Sequence, residues 1–375
     1  MSKLYAAISL LLLVGCRQSE NVSVLSVDVE AELREEVSIF DVFSKVELVA
    51  LESLQPLSNH VFSGKLFVTS DGDCLYYLDE KTFKIHVFDM NGNYRHIIDK
   101  VGRGRGEYTM GYQLSFNDED SLIEVLNPMG KILRYTQDSL HFHSELDMMG
   151  KGIPAMHEMC RVGESYIVLS KNMNDRFWGF DEGEDELYSY QYCVDEDYMN
   201  YQSPSFSFFV KDGIPHSFNS MDGEIFSFDL SAGSTNPVYR WDFGKYQAKL
   251  SDIEKNLSVR EYHSKILDYS KNHLSPFINI KYHAGHLYAS IVFDGQIYPY
   301  SLIYDLETGE SLLFGKTKEG MWFLPELFVD GIMYKFVDYE FLPDYVNREI
   351  LDPSSQLEYD KVLMQRGAAV IKYYS

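Results

Sequence analysis

Basic residues are scarce in this chain: Lys and Arg number 33 against 57 Asp and Glu, a formal charge of −24 at neutral pH. Nucleic-acid binding needs a basic footprint on the phosphates, so the composition argues against it. An acidic surface is also kept off anionic lipid headgroups. Cysteine is sparse, with only Cys16, Cys74, Cys160 and Cys193. No C-x-x-C occurs, which argues against a zinc site and against a thioredoxin-like redox motif. After the first sixteen residues no run is long and apolar enough to cross a bilayer as a helix. Neither G-x-S-x-G nor H-E-x-x-H is present. The carboxylates are too many for any pair to stand out as acid and base. No cofactor is implied.

What is present begins at the amino terminus, MSKLYAAISLLLLVGC. Lys3 supplies a basic start, and Leu4 to Val14 has the length of a signal-peptide apolar core rather than a membrane-spanning helix. Leu13-Val14-Gly15-Cys16 resembles the lipobox of bacterial lipoproteins. The resemblance implies that residues 1–15 are a signal peptide removed before Cys16. It further implies a diacylglycerol on the Cys16 thiol and a fatty acid such as palmitate on the new amino terminus. A buried amino-terminal helix that ends in cysteine is the competing reading. Each buried methylene contributes about 0.8 kcal/mol, so three acyl chains hold a protein where one is marginal. Residues 16–40 are polar and read as the lipidated terminus and a tether. The expected address is the cell envelope, at the outer membrane, with leaflet and face left open. Lipidation of Cys16 leaves Cys74, Cys160 and Cys193, an odd number. One disulfide or three buried thiols both fit.

Residues 41–375 read as one all-β domain. Tyr (28) and Phe (24) are abundant and suit half-buried strands. A unit of four short strands recurs. Its clearest copy is Lys65–Thr69, Cys74–Leu78, Lys84–Asp89 and Tyr94–Ile98. Further copies run Leu114–Leu146, Glu158–Val194, Phe206–Phe243 and Ile278–Phe314, and a sixth starts at Trp322–Phe328 and Ile332–Tyr339. Third strands end on an aromatic residue, usually with Asp: Phe88-Asp89, Tyr135, Phe180-Asp181, Phe228-Asp229 and Tyr304-Asp305. A β-sandwich has no reason to return to that pair at a fixed period, so the expected fold is a six-bladed β-propeller. Leu250, Ile253, Leu257, Tyr262, Ile266 and Tyr269 follow helical spacing, which predicts a helical insertion near 247–273. Tyr359–Gln365 reads as a helix. Lys45–Leu51 and Ala368–Tyr374 read as first and last strands that share a blade and close the ring, leaving no open edge.

Val87-Phe88-Asp89-Met90-Asn91-Gly92-Asn93-Tyr94, followed by Val101-Gly102-Arg103-Gly104-Arg105-Gly106-Glu107-Tyr108, resembles the NHL-like six-bladed β-propeller lipoproteins of Bacteroidetes. Arg105 stands where that family usually has Pro. The resemblance implies a fold and an envelope address. Propellers of this kind also include lactonases and lyases with a metal or histidine at the channel mouth. Two functions are therefore carried forward. One is a membrane-anchored binding or scaffold module for an envelope protein, a small molecule or a glycan. The other is a propeller enzyme of lactonase or lyase type.

Gly102–Tyr108 is the most distinctive internal segment. Glycines admit a close ligand, exposed amides form an anion nest, and Arg103 and Arg105 offer two guanidinium forks. Arg103, Arg105, Glu107 and Tyr108 are thus the candidate ligand-binding residues. The competing reading is a turn between blades with an arginine paired to Glu107. The acidic runs Asp181–Glu186, Asn117–Asp120 and Asp195–Asp197 lack the alternation of a calcium loop and read as solvated tips. His141 with His143, and His283 with His286, lack a visible third metal ligand.

Overall fold

A computed structural model describes residues 22–33, 36–52, 64–69, 72–153, 155–170, 177–183, 187–190, 208–252, 254, 259–296 and 298–375. The signal segment, Cys16, Cys193 and Asp195–Asp197 lie outside the described residues. In chain order, strand β1 (Ser23–Ser26), helix α1 (Val29–Glu32) and strand β2 (Lys45–Leu51) precede the repeats. The first blade is β3 (Gly64–Val68), β4 (Cys74–Asp79), β5 (Ile85–Asp89) and β6 (Tyr94–Ile98). The second is β7 (Gln113–Asn117), β8 (Leu122–Asn127), β9 (Lys131–Thr136) and β10 (Phe142–Asp147). The third is β11 (Glu158–Val162), β12 (Ser165–Leu169), β13 (Phe177–Asp181) and β14 (Tyr188–Tyr190). The fourth is β15 (Phe209–Lys211), β16 (Ile214–Phe218), β17 (Ile225–Asp229) and β18 (Ser234–Asp242). Helix α2 (Val259–Tyr269) leads to the fifth: β19 (Phe277–His283), β20 (His286–Ile291), β21 (Tyr300–Asp305) and β22 (Ser311–Phe314). Strands β23 (Leu327–Val329) and β24 (Ile332–Asp338), helices α3 (Leu342–Tyr345) and α4 (Pro353–Gln365), and strand β25 (Ala368–Tyr374) finish the chain.

These strands form six sheets, so the fold is the expected six-bladed propeller. The last sheet has the order β2-β25-β24-β23, and β2 pairs with β25 from Lys45↔Tyr374 to Leu51↔Ala368. The expected pairing of Lys45–Leu51 with Ala368–Tyr374, β2 with β25, therefore closes the ring within one blade. The insertion expected over 247–273 holds the 11-residue helix α2. Trp322 lies outside the strand expected there, because β23 starts only at Leu327. Helix α4 starts six residues before the predicted Tyr359, where Asp352 accepts from the Ser354 and Ser355 amides and Pro353 opens the first turn.

Sequence pattern follows position in the blade. Middle strands are flanked by neighbouring blades on both faces, and β8 (LIEVLN) is buried throughout. Outer strand β10 (FHSELD) alternates half-buried and exposed residues. The aromatic-Asp repeat has a local cause. Phe88, Phe228 and Tyr304 are buried between blades, while the following Asp caps the next turn. Asp89 Oδ1 accepts from the Asn91 and Asn93 amides at 2.9 and 3.0 Å, and Asp305 Oδ1 from Glu307 and Thr308 at 2.7 and 3.1 Å.

One buried apolar cluster sits at each junction between adjacent blades. Two of these clusters also take residues from the segment read as a polar tether, 16–40, and that reading is corrected from Ser23 onward. Strand β1 pairs in parallel with β18 as a fifth strand of the fourth blade. Leu25, Val27 and Val29 are buried against the fourth and fifth blades. Glu32 accepts from Ser311 Oγ at 2.8 Å on β22. Ile39 and Phe43 are buried at the junction of the fifth and sixth blades, and the Lys318 amide donates to Val37 O at 2.9 Å. Residues 23–33 and 36–43 thus form a belt over three blades. The apolar members of SVLSVDVE lie among polar residues, which hides them from a reading by composition.

Candidate functional site

The innermost strand of every blade lines a central channel holding a cavity of about 590 Å³. The side chains reaching it include Lys65, Gln113, Glu158, Cys160, Arg161, Asn279, Lys281 and Glu326, with Phe67, Tyr282 and Phe328 among the aromatic lining. Neighbouring inner strands are tied together at one level. Lys65 Nζ donates to Tyr112 O at 3.0 Å, Gln113 Nε2 to Met159 O at 2.7 Å, and Asn279 Nδ2 to Pro325 O at 2.9 Å. The Met159 amide returns a bond to Gln113 Oε1 at 2.8 Å.

Most charges in the channel are engaged. Arg161 lies 3.8 Å from Glu182 and faces the Tyr166 ring at 5.5 Å. Glu326 lies 3.6 Å from Lys335 and accepts the Phe336 amide at 3.3 Å. Lys65 approaches Glu80 at 4.0 Å. Lys281 is different: among the described residues it has no hydrogen-bond or ion-pair partner at contact distance. Burial lowers the pKa of its ammonium group, and the carboxylates of Glu158 and Glu326 oppose that shift. Burial pushes the neighbouring Cys160 thiol up to about 12, so it stays protonated at physiological pH. Cys160 is a free thiol, and Cys74 Sγ accepts from Arg95 Nη1 at 3.0 Å.

The residues singled out from sequence lie elsewhere. Gly102–Tyr108 sits in the connection from β6 to β7. Tyr108 is fully buried and donates to Phe83 O at 2.9 Å. Glu107 Oε2 accepts from the Gly104 amide at 2.7 Å, so the loop's own carboxylate engages one of its amides. The pairing expected between an arginine and Glu107 is replaced by that backbone bond. Arg103 is exposed, and the Arg105 guanidinium lies 6.0 Å from the Phe142 ring centroid. Gly106, at φ +73°, accepts Tyr135 Oη at 3.0 Å, and a Cβ there would meet Phe142 at 2.5 Å. None of these four candidates lines the channel cavity.

Sequence reasoning missed Lys281 and its neighbours. The available signal was polar residues at strand starts about one blade apart, such as Lys65, Gln113 and Glu158, where an ordinary blade strand would be apolar. The acidic run at Asp181 is also more than a solvated tip. Glu182 reaches Arg134 Nη2 at 2.8 Å, linking the second and third blades. His283 stacks on Phe328 at 4.9 Å, and His286 lies 3.7 Å from Asp305. His143 Nδ1 lies 3.0 Å from Ser144 Oγ on the outer strand of the second blade. Among the described residues no group of three or more His, Cys, Asp or Glu is placed to hold a metal ion, and no helix is long and apolar enough to cross a membrane.

Six four-stranded repeats around a polar channel, closed by pairing of β2 with β25, define a six-bladed β-propeller. The chain belongs to the DUF5128 family of 6-bladed β-propellers, whose profile matches residues 16–320. In fold it is similar to a protein of Bacteroides fragilis described as exported, with 14% identity, 94% of this chain and 100% of that one covered, and a TM-score of 0.68. It is also similar to a DUF4221 family member from Bacteroides vulgatus, at 9% identity, 89% and 97% coverage and a TM-score of 0.55. No protein of curated function matches the sequence significantly.

Proposed function

We propose that this protein is an exported lipoprotein of the cell envelope, anchored at the outer membrane through lipid on Cys16, whose propeller binds a small acidic molecule or acidic glycan in its central channel. The observation that carries the binding site is Lys281, which has no contact partner among the described residues and faces a channel cavity of about 590 Å³. On a chain of net charge −24, a half-buried lysine with no contact partner among the described residues is a ready donor to an acidic ligand. Glu326, which faces it, is already held by Lys335. Phe67 and Phe328 add apolar faces of the kind on which sugar rings rest. The lipobox at Cys16, the family match that starts at Cys16 and the exported description of the Bacteroides fragilis neighbour support the address.

Calorimetric titration of the mature protein with matched acidic and neutral oligosaccharides tests the binding site. Acidic members are expected to bind, and Lys281→Met is expected to weaken them at least about ten-fold, the loss of roughly one charge-assisted hydrogen bond. Equal affinity for acidic and neutral partners, or unchanged affinity in Lys281→Met, contradicts the assignment.

A further inference from the structure

The belt constrains how the ring meets the membrane, given the anchor at Cys16 on which this inference rests. Strand β1 runs parallel to β18, with Ser23 beside Tyr239 and Ser26 beside Asp242. Strand β18 starts at the 230–233 hairpin tip and ends where the chain passes to the fifth blade. The amino-terminal end of β1 therefore points back toward the face that carries the hairpin tips. Seven residue-to-residue steps lead from Cys16 to Ser23, a reach of at most about 25 Å when fully extended. From the level of Tyr239 to the start of β18 takes up about 17 Å of that reach. With the tether carried on along the axis of β1, the acyl chains on Cys16 reach a bilayer whose surface lies within about 10 Å of the hairpin tips of the fourth blade.

The surface at that place fits a lipid interface. The other tip of the fourth blade on this face carries Val210 and Ile214, large apolar residues 42% and 47% exposed. Lys211 between them is paired with Asp212 at 2.7 Å. The Ser231–Gly233 tip has no charged side chain, and the Asp229 carboxylate is bound by the Ser231 and Ala232 amides at 3.0 Å. Tips of other blades on the same face are acidic, with Asp118, Glu119 and Asp120 on the second blade and Glu307 and Glu310 on the fifth. Such tips are repelled by anionic headgroups.

We propose that the hairpin rim of the fourth blade docks on the surface of a phospholipid bilayer, so that the opposite face, with the Gly102–Tyr108 loop, turns away from the membrane. The ring stands on one apolar rim, its acidic tips tilted off the surface. Full-length lipidated protein in phosphatidylcholine vesicles that carry a headgroup nitroxide tests this. A fluorophore is placed at Ala232→Cys or at Arg103→Cys, and the parent protein supplies the background from native cysteines. Quenching is expected to be several-fold stronger at 232 than at 103. Equal quenching, or stronger quenching at 103, overturns the docking. Flotation of the parent protein with the vesicles is measured in the same samples. Failure to float marks failure of the anchor itself, while flotation with equal quenching marks failure of the orientation alone.

Discussion

Arg134→Met is expected to lower the unfolding free energy by about 3–5 kcal/mol, although Arg134 touches neither the channel cavity nor a ring-closing strand. Its side chain is 5% exposed and that of Glu124 is fully buried. Arg134 Nε donates to Glu124 Oε1 at 2.9 Å, and Nη2 donates to Tyr166 Oη at 2.7 Å and to Glu182 Oε2 at 2.8 Å. Tyr166 Oη in turn donates to Glu124 Oε1 at 2.6 Å and its ring stacks on Phe180 at 4.8 Å. The network joins β8 and β9 of the second blade to the third. Removing the guanidinium leaves a carboxylate in the core with a single hydroxyl as donor. Urea unfolding of the single variants and of Arg134→Met combined with Glu124→Gln reads the coupling. The double variant should recover more than about 1 kcal/mol of the summed loss. Additive losses, or a single-variant cost under about 1 kcal/mol, contradict the network's role.

The second large effect belongs to the belt. Leu25→Ala with Val29→Ala should cost about 3–5 kcal/mol, since each side chain leaves a cavity between packed blades. Leu25 is 4% exposed and Val29 2%. The loss should also be local. Hydrogen exchange should accelerate first in β18 and β22, which the belt covers, and later in β4 and β5 on the far side of the ring. Uniform acceleration, or no loss of stability, would mean that residues 23–33 and 36–43 merely lie against the ring.

The fold was legible because a propeller repeats its local chemistry. Asp89, Asp229 and Asp305 each cap the turn after an aromatic third strand, so one structural need writes the same pair several times. Ring closure was legible from a single strand at each end with no partner nearby in sequence. Position across the channel was not legible. Lys281 is one lysine among the 33 basic residues, and only the meeting of six inner strands sets it apart. The Gly102–Tyr108 loop carries a bond that its sequence does not spell out. Glycines, arginines and a carboxylate read as an anion site, but the carboxylate of Glu107 occupies the Gly104 amide itself. The Arg134 network escaped because its members are far apart in sequence, with Glu124 and Tyr166 separated by 42 residues. The start of α4 was written plainly at Asp352-Pro353, an N-cap followed by proline, and apolar spacing alone overlooked it.

The proposed envelope address and orientation of the ring both follow from Cys16. Mass spectrometry of the amino-terminal peptide from protein isolated with its native membranes tests it directly. The expected result is a mature chain that begins at Cys16, with a diacylglyceryl thioether on its sulfur and a fatty acid on its amino group. In Cys16→Ser that peptide is absent and the protein is an unprocessed or released precursor. A mature chain with an unmodified Cys16 thiol, or with residues 1–15 still attached, contradicts the account.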